Sequence, residues 1–546
     1  MSEFLNYTLG GWLDKIACEN PDHEALVYPD RSLRYSYSRF NEECDRAAKG
    51  LMKLGIKKGE HVAIWATNYP EWVVTFFATA KIGAIMVTVN TNYRLFELEY
   101  QTRQSDVTTL IMINNFKDTN YVDIVNEMIP ELSDSEPGKL SSEHFPCLKN
   151  LVYLDSDTPA GMFNWADILK MGESVTGEEL AAASSAVDCH DVTTMLYTSG
   201  TTGFPKGVML THYNILNNGL FTGDNMQFTP SDRLLIQVPF FHCFGMILSI
   251  LACVTHASTM IPLESYSPTI ALKVLDFEKC TIVHGVPTMF IFIMDHPDFK
   301  KYDLSHLRSG IMAGSNCPEN LMRRCADEMN MKEICSVYGQ TESSPNITQS
   351  TWEDSLDLRV STVGRATGGV EVKISDPETG VTLPPNTLGE ICSRGYHIMK
   401  GYYKMEEATR QAIDGEGWLH TGDIGFRDEN GYYSITGRIK DMIIRGGENI
   451  YPRELEELLY THPQVQDVQV VGVPSKKFGE EVLAWVVLKA GEEATEEEIK
   501  DFMRKNISRH KVPSYIWFID TFPMTASGKI QKFKLREMAV LKLSQE

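Results

Sequence analysis

Residues 192–207 constrain this chain more than any other stretch. Val192-Thr-Thr-Met-Leu-Tyr197 is β-branched and aromatic, as a buried strand requires. The next ten residues, Thr-Ser-Gly-Thr-Thr-Gly-Phe-Pro-Lys-Gly, hold three glycines, four Ser/Thr hydroxyls and a single lysine. A glycine- and hydroxyl-rich turn after a strand can wrap backbone N–H groups around a polyphosphate, with Lys206 supplying positive charge. It is not the Walker spacing, because Lys206 is followed by Gly207 rather than by Ser or Thr. An ordinary surface turn uses the same residue types.

With 546 residues the chain exceeds one compact core, so two or more domains are expected. The formal net charge of −22 argues against a nucleic-acid partner and against purely electrostatic attachment to anionic lipid. Eleven cysteines without any Cys-x-x-Cys pair argue against a disulfide framework or a zinc cluster, and suit free thiols in a reducing compartment. The N-terminus has neither the pattern of a secretory signal nor the arginines of a transit peptide. The longest apolar stretch, 236–254, carries Gln237, Pro239 and His242, so it reads as buried core rather than a membrane span. A cytoplasmic protein is expected.

Strand and helix patterns alternate from residue 61 onward: strand 61–66, helix 71–82, strand 84–89, helix near 97–104, strand 107–113. That alternation predicts an α/β fold with doubly wound parallel sheets. Residues 132–146 are polar and read as an exposed loop, and alternation resumes at 234–294. From about residue 360 the segments shorten and are punctuated by glycine, which suggests a small antiparallel β subdomain. Beyond 438 an α+β pattern follows, with helices at 454–462 and 496–506 and strands at 465–473 and 482–489. The expected division is a large domain over 1–437, a connection at 438–440 and a small mobile domain over 441–546.

Four further segments carry candidate chemistry. In Ser336-Val-Tyr-Gly-Gln-Thr-Glu-Ser343, a strand running into Gly339 can offer Tyr338 as a flat face for a base. Thr341 and Glu342 then lie at the strand end, where ligands gather in open α/β sheets. A carboxylate there suits Mg²⁺, although a strand-to-helix turn with a solvated glutamate has the same sequence. Gly417-Trp-Leu-His-Thr-Gly-Asp423 places an aspartate on a glycine turn, able to accept from two ribose hydroxyls or to cap a β-turn. In the segment 437–452, Arg438 offers a permanently charged planar fork, and Gly446 and Gly447 leave the backbone open to close approach. It also reads as a linker and hairpin with a surface arginine. Ser527-Gly-Lys529 gains meaning only beside the others.

In identity and order these five segments resemble the adenylate-forming superfamily of acyl-CoA synthetases, luciferases and peptide-synthetase adenylation domains, from about residue 10 to about residue 540. The nearest likeness is to acyl-CoA synthetases for medium- or long-chain fatty acids. The resemblance implies an AMP-forming ligase that uses ATP, Mg²⁺ and coenzyme A. A carboxylic acid first becomes an acyl-adenylate with release of pyrophosphate, and CoA then displaces AMP. It implies that Thr198, Ser199, Gly200, Thr201, Thr202 and Lys206 cradle the β- and γ-phosphates. Ser315, Asn316, Tyr338 and Gly339 would hold adenine; the segment Ala313-Gly-Ser-Asn-Cys-Pro318 departs from the commoner form. Thr341 would touch the α-phosphate, Glu342 would bind Mg²⁺, and Asp423 with Arg438 would hold the ribose. Lys529 would reach both the acid and the α-phosphate. Lys440 takes the hinge position, and Gly446 and Gly447 would line the pantetheine path after domain rotation.

For the acid, the resemblance points to Phe240, Phe241, His242, Phe244, Gly245, Val286 and Gly314, with His242 between the acid and thiol sites or simply a core histidine. No carboxylate lies in Phe240-Phe-His-Cys-Phe-Gly245 to pair an α-amino group, which disfavours amino acids. Gly314 leaves room beyond an acetate-sized acid. The leading expectation is a medium-chain, branched or aromatic acid; a long-chain or aryl-CoA ligase is the alternative. An enzyme that loads carrier proteins, or a silent nucleotide-binding homologue, stays open, as does a homodimer.

Overall fold

The computed structural model describes residues 2–198, 205–315, 317–446, 448–525 and 529–545. The loop residues Ser199, Gly200, Thr201 and Thr202, together with Asn316 and Gly447, lie outside the described residues.

The alternating pattern builds two large sheets. In the first, eight-stranded sheet, the strands Val192–Thr198, Ile85–Thr88, His61–Trp65, Val107–Met112 and Asn150–Tyr153 run parallel. In the nine-stranded sheet the parallel part runs from Glu24–Tyr28 through Thr259–Pro262, Arg233–Ile236, Ile282–His284 and Ser309–Met312 to Glu333–Tyr338. Neither sheet is parallel throughout. Lys206–Thr211 and Gly401–Tyr402 pair antiparallel at one edge of the first sheet, and Thr348–Gln349 and Arg365–Ala366 do so in the second. These edges follow hairpins and long returns, which need no crossover helix.

One continuous apolar core takes residues from both sheets, such as Val62, Ile64, Leu110, Leu234 and Ile236. The helix Pro70–Ile82 is buried on every face except at Glu71, so its apolar residues show little one-sidedness. Lys81 nevertheless lies in that interior, its ammonium hydrogen-bonded to Asp14, Asn41 and Asp45 at 2.6, 2.8 and 2.5 Å. A buried lysine is tolerated when it is paired in this way. The apolar run 236–254 ends a strand, turns, and becomes a buried π-helix over Phe244–Leu251. No helix among the described residues is long and apolar enough to cross a membrane. The segment 132–146 is irregular, as read from its composition, but it is not simply exposed: Leu132, Leu140 and Phe145 are buried.

The short glycine-punctuated segments form a four-stranded antiparallel sheet of Val370–Ser375, Gly389–Gly395, Leu419–Arg427 and Tyr433–Arg438. From Ile443 onward the buried apolar residues form clusters of their own, around Val468, Val486 and Ile499 and around Trp485 and Leu535.

Three fully buried histidines, His212, His284 and His397, have pKa values pushed down to about 3 by burial. They are neutral in the fold, whereas the unfolded chain protonates them below about 6.5. The unfolded state therefore binds more protons as pH falls from about 6.5 towards 3, and stability present above that window is lost within it. Each histidine contributes about 1.4 kcal/mol per pH unit there. Urea unfolding at pH 7.5 and pH 5.5 should differ by on the order of 4 kcal/mol from these three groups. His397→Gln should shrink the difference, and equal stability at both pH values would refute the assignment.

Candidate functional site

The strand Glu333–Tyr338 delivers Tyr338 to the end of the nine-stranded sheet. The chain then turns at Gly339, where a Cβ would stand 1.7 Å from the carbonyl oxygen of Pro345. Only glycine permits that approach, and it carries the chain into the short 3₁₀ turn Thr341–Ser343. Thr341 is nearly buried, with its hydroxyl 3.6 Å from Cys243 Sγ.

Asp423 arrives from the antiparallel sheet. It is 5% exposed, and both carboxylate oxygens are engaged. Arg438 Nε donates to Oδ1 at 3.0 Å, and the Tyr338 hydroxyl donates to Oδ2 at 2.9 Å. Asp423 and Arg438 are also cross-strand partners. Burial raises the pKa of Asp423, while Arg438 and Tyr338 oppose that rise.

Glu342 accepts from the Tyr402 hydroxyl at 2.8 Å, and its carbonyl accepts from Met399 N at 2.9 Å. Lys206 opens the strand Lys206–Thr211 beside Thr198, with its ammonium 4.8 Å above the Tyr402 ring. Tyr402 thus touches both the lysine of the loop and the glutamate of the 3₁₀ turn. The sequence reading did not single it out. Its only signal is Gly401-Tyr-Tyr403, which looks like any edge strand until its pairing with Val208 is seen.

Lys529 belongs to the C-terminal part of the chain yet reaches this cluster. A Cβ built on Gly314 would lie 3.7 Å from Lys529 Cε and 3.2 Å from Val286 Cγ1. The pKa of the ammonium is lowered, first by burial and also by Arg438; Cys243, Glu342 and Asp423 act in the opposite direction. The backbone around it is pinned, since Thr525 N donates to the Lys529 carbonyl at 2.7 Å and Lys529 N to Thr525 Oγ1 at 3.0 Å.

His242 is half-buried, and its Nδ1 accepts from Phe244 N at 3.2 Å. Burial, with the nearby charge of Lys529, lowers its pKa to about 3. The ring is therefore neutral, and with Nδ1 accepting, its proton lies on Nε2. Cys243, beside it, was not anticipated; only the adjacent histidine could have drawn attention to it.

Other expected residues take different places. Phe240 is buried: its ring packs 5.2 Å from that of Trp72, and its N–H donates to Asn68 Oδ1 at 2.8 Å. Gly245 likewise opens no cavity, because a Cβ there would stand 2.3 Å from the Pro239 carbonyl oxygen, so this glycine serves the close start of the π-helix. Phe241 is half-buried, and Phe244 stacks on His284 at 5.8 Å. Ser315 is exposed on the turn after Gly314. Gly446 tops the hairpin of Ile443–Arg445 and Glu448–Ile450 and packs against Phe478. Lys440 is exposed on the crossing between the antiparallel sheet and that hairpin.

The arrangement brings three cations, Lys206, Arg438 and Lys529, and two carboxylates, Glu342 and Asp423, together at strand ends, with a small residue, Gly314, beside Lys529. That suits a reaction in which anions must meet. Comparison with known proteins agrees. Residues 13–403 match the AMP-binding enzyme family, and residues 454–529 match the AMP-binding enzyme C-terminal domain. The chain is 53% identical over 540 residues to YngI of Bacillus subtilis, whose name places it with the acyl-CoA synthetases, covering 99% of this chain and 98% of that protein. It is 40% identical over 539 residues to the mitochondrial medium-chain acyl-CoA ligase ACSF2 of Bos taurus, covering 97% and 87%. Among solved structures, the anthranilate CoA ligase AuaEII in complex with anthranoyl-AMP superposes with a TM-score of 0.87 at 26% identity, over 99% of this chain and 98% of that one. The chain belongs to the AMP-binding enzyme family, among its AMP-forming acyl-CoA synthetases.

Proposed function

We propose that this synthetase activates a medium-chain, branched or aromatic carboxylic acid in two half-reactions that share the space around Lys529. The observation that carries the reading is the reach of Lys529 to Gly314 and to the Glu342, Asp423 and Arg438 cluster. In the first half-reaction a carboxylate oxygen attacks the α-phosphorus of ATP and pyrophosphate leaves. Lys529 would offset the repulsion between the two anions, Thr341 would donate to the α-phosphate, and Lys206 with Thr198 and the residues of the 199–202 turn would hold the departing phosphates. Asp423 keeps further lone pairs for ribose hydroxyls even with Tyr338 and Arg438 bound to it. Tyr338 and Gly339, with Ser315 and Asn316, would frame the adenine.

Glu342 suits Mg²⁺, a hard cation that favours carboxylate and phosphate oxygens. Its carboxylate is held in place by Tyr402 beside the lysine of the phosphate loop. When bound, the ion would neutralise phosphate charge. In the second half-reaction the CoA thiol attacks the acyl carbonyl and AMP leaves. His242 would face that step as a neutral N–H donor. A large domain over 1–437 and a small one over 441–546 would rotate about 438–440, with Lys440 as hinge and Gly446 and Gly447 brought to the thiol path. Unpaired thiols throughout the chain fit the cytoplasm.

The chemistry is tested by acid-dependent ATP–pyrophosphate exchange without CoA, on acids from acetate to palmitate plus benzoate and cinnamate. Exchange should peak with octanoate-sized or aromatic acids; exchange with none of them would overturn the reading. Gly314→Trp should raise the acetate-to-octanoate ratio of kcat/KM by about ten-fold or more, because the side chain fills the space by Val286. An equal loss on both acids would mean that only backbone strain at φ +90° had been added. Lys440→Pro should spare exchange and slow thioester formation by at least about ten-fold, since it stiffens the segment that must rotate. Equal loss of both steps would remove the hinge.

A further inference from the structure

Behind Asp423 lies a second cluster that the acyl-transfer chemistry does not use. Glu390 and Cys392 lie two residues apart on Gly389–Gly395 and so point to one face of the sheet. His420, on the neighbouring strand, is the direct partner of Cys392. Glu390 pairs with Ile424, so three residues of the partner strand, 421–423, lie opposite the single residue Ile391. The excess bulges outward as Thr421-Gly422-Asp423 and presents the ribose carboxylate.

The three side chains converge. His420 Nδ1 is 2.8 Å from Glu390 Oε2 and 3.6 Å from Cys392 Sγ. One ligand atom from each residue lies within 4.8 Å of the others. Tetrahedral zinc with ordinary bond lengths needs ligand separations of about 3.4 Å for nitrogen to oxygen and about 3.6 Å for nitrogen to sulfur. The sulfur distance already fits, and the oxygen must withdraw by about half an ångström. Asp414 Oδ2 lies 3.6 Å from His420 Nε2, within ion-pair range on the ring's far side from the cluster, and the Ser375 hydroxyl is 3.4 Å from the sulfur. Glu390 and Cys392 are buried, while His420 is a third exposed, leaving a path for the ion and for a water as fourth ligand. A thiolate, an imidazole and a carboxylate together select zinc over magnesium or calcium.

The cluster is tied to the nucleotide side. Glu390 Oε1 accepts from Gly422 N at 3.0 Å, and the Gly422 carbonyl accepts from Ile439 N at 2.9 Å, beside the crossing segment. We propose that Glu390, Cys392 and His420 form a Zn²⁺ site at the base of the Asp423 bulge, through which zinc weakens ATP binding. Zinc displaces the thiol proton to solvent and draws Glu390 away from His420, which loads its bond to Gly422 and shifts Asp423. The effect on ATP rests on the ribose role proposed above; the metal site itself does not.

The test uses the full chain and Co²⁺ as a spectroscopic stand-in. A second group, Asp188, Cys189 and His190, also gathers a thiol and an imidazole, so the background carries Cys189→Ser. One equivalent of Co²⁺ should produce the near-ultraviolet thiolate-to-cobalt absorption in that background. Adding Cys392→Ser should abolish it, and adding His420→Ala instead should weaken Co²⁺ binding by at least about ten-fold. His420 is partly exposed, so this variant gives an answer even where Cys392→Ser fails to fold. Absence of the band, or a band indifferent to His420→Ala, overturns the site. Zn²⁺ should raise the KM for ATP in pyrophosphate exchange in the parent and not in the His420→Ala protein. Zinc bound with an unchanged KM for ATP overturns the coupling while leaving the site standing.

Discussion

The buried carboxylate of Asp423 ties together three parts of the chain. Tyr338 comes from the end of the nine-stranded sheet, and Asp423 and Arg438 from neighbouring strands of the antiparallel sheet, Arg438 at the last position before the crossing into the C-terminal part. A carboxylate this deeply buried must be paired, because an uncompensated buried charge costs several kcal/mol. That demand fixes the position of the antiparallel sheet against the sheet end. It also places Arg438 where the chain leaves one core for another.

Lys529 completes the space from the far side. A lysine near the end of a chain is normally solvated, and here it is desolvated with its pKa lowered. The carboxylates of Glu342 and Asp423 act against that lowering. A cation held poorly solvated among carboxylates is poised to bind an anion more strongly than a surface lysine would, since low polarity strengthens every charge–charge term. Tyr402 plays a quieter part. It touches the phosphate loop's cation, Lys206, with its ring and the candidate metal carboxylate, Glu342, with its hydroxyl.

Much of this was legible in the residues. The helix at 496–506 follows from apolar periodicity and the strands at 61–65, 192–198 and 465–475 from β-branching, because each buries a face or an entire strand, whereas the helix at 70–82 is apolar nearly all round. Asp423, Arg438, Glu342 and Lys529, singled out from motifs that are rare in combination, do come together in the fold. The packing of Phe240 on Trp72 and of Gly245 on Pro239 was not legible, because an aromatic beside a histidine and a glycine reads alike whatever it packs against. The polar segment 132–146 hid three buried apolar anchors, since composition averages over the few side chains that pin an irregular segment. Tyr402 was missed because its partners, Glu342 and Lys206, lie far away in the chain.

By itself, then, the sequence determined the α/β alternation, the five chemical segments and their order, because these depend on local pattern and on residue type. Which segments meet was decided only by the tertiary structure. Lys529 against Gly314, Tyr338 against Asp423, and His420 against Glu390 and Cys392 are contacts between distant strands and turns. Their existence depends on sheet order, register and a two-residue bulge, none of which any single segment encodes. The physical reason is that pairing register and close packing are settled by all the strands together.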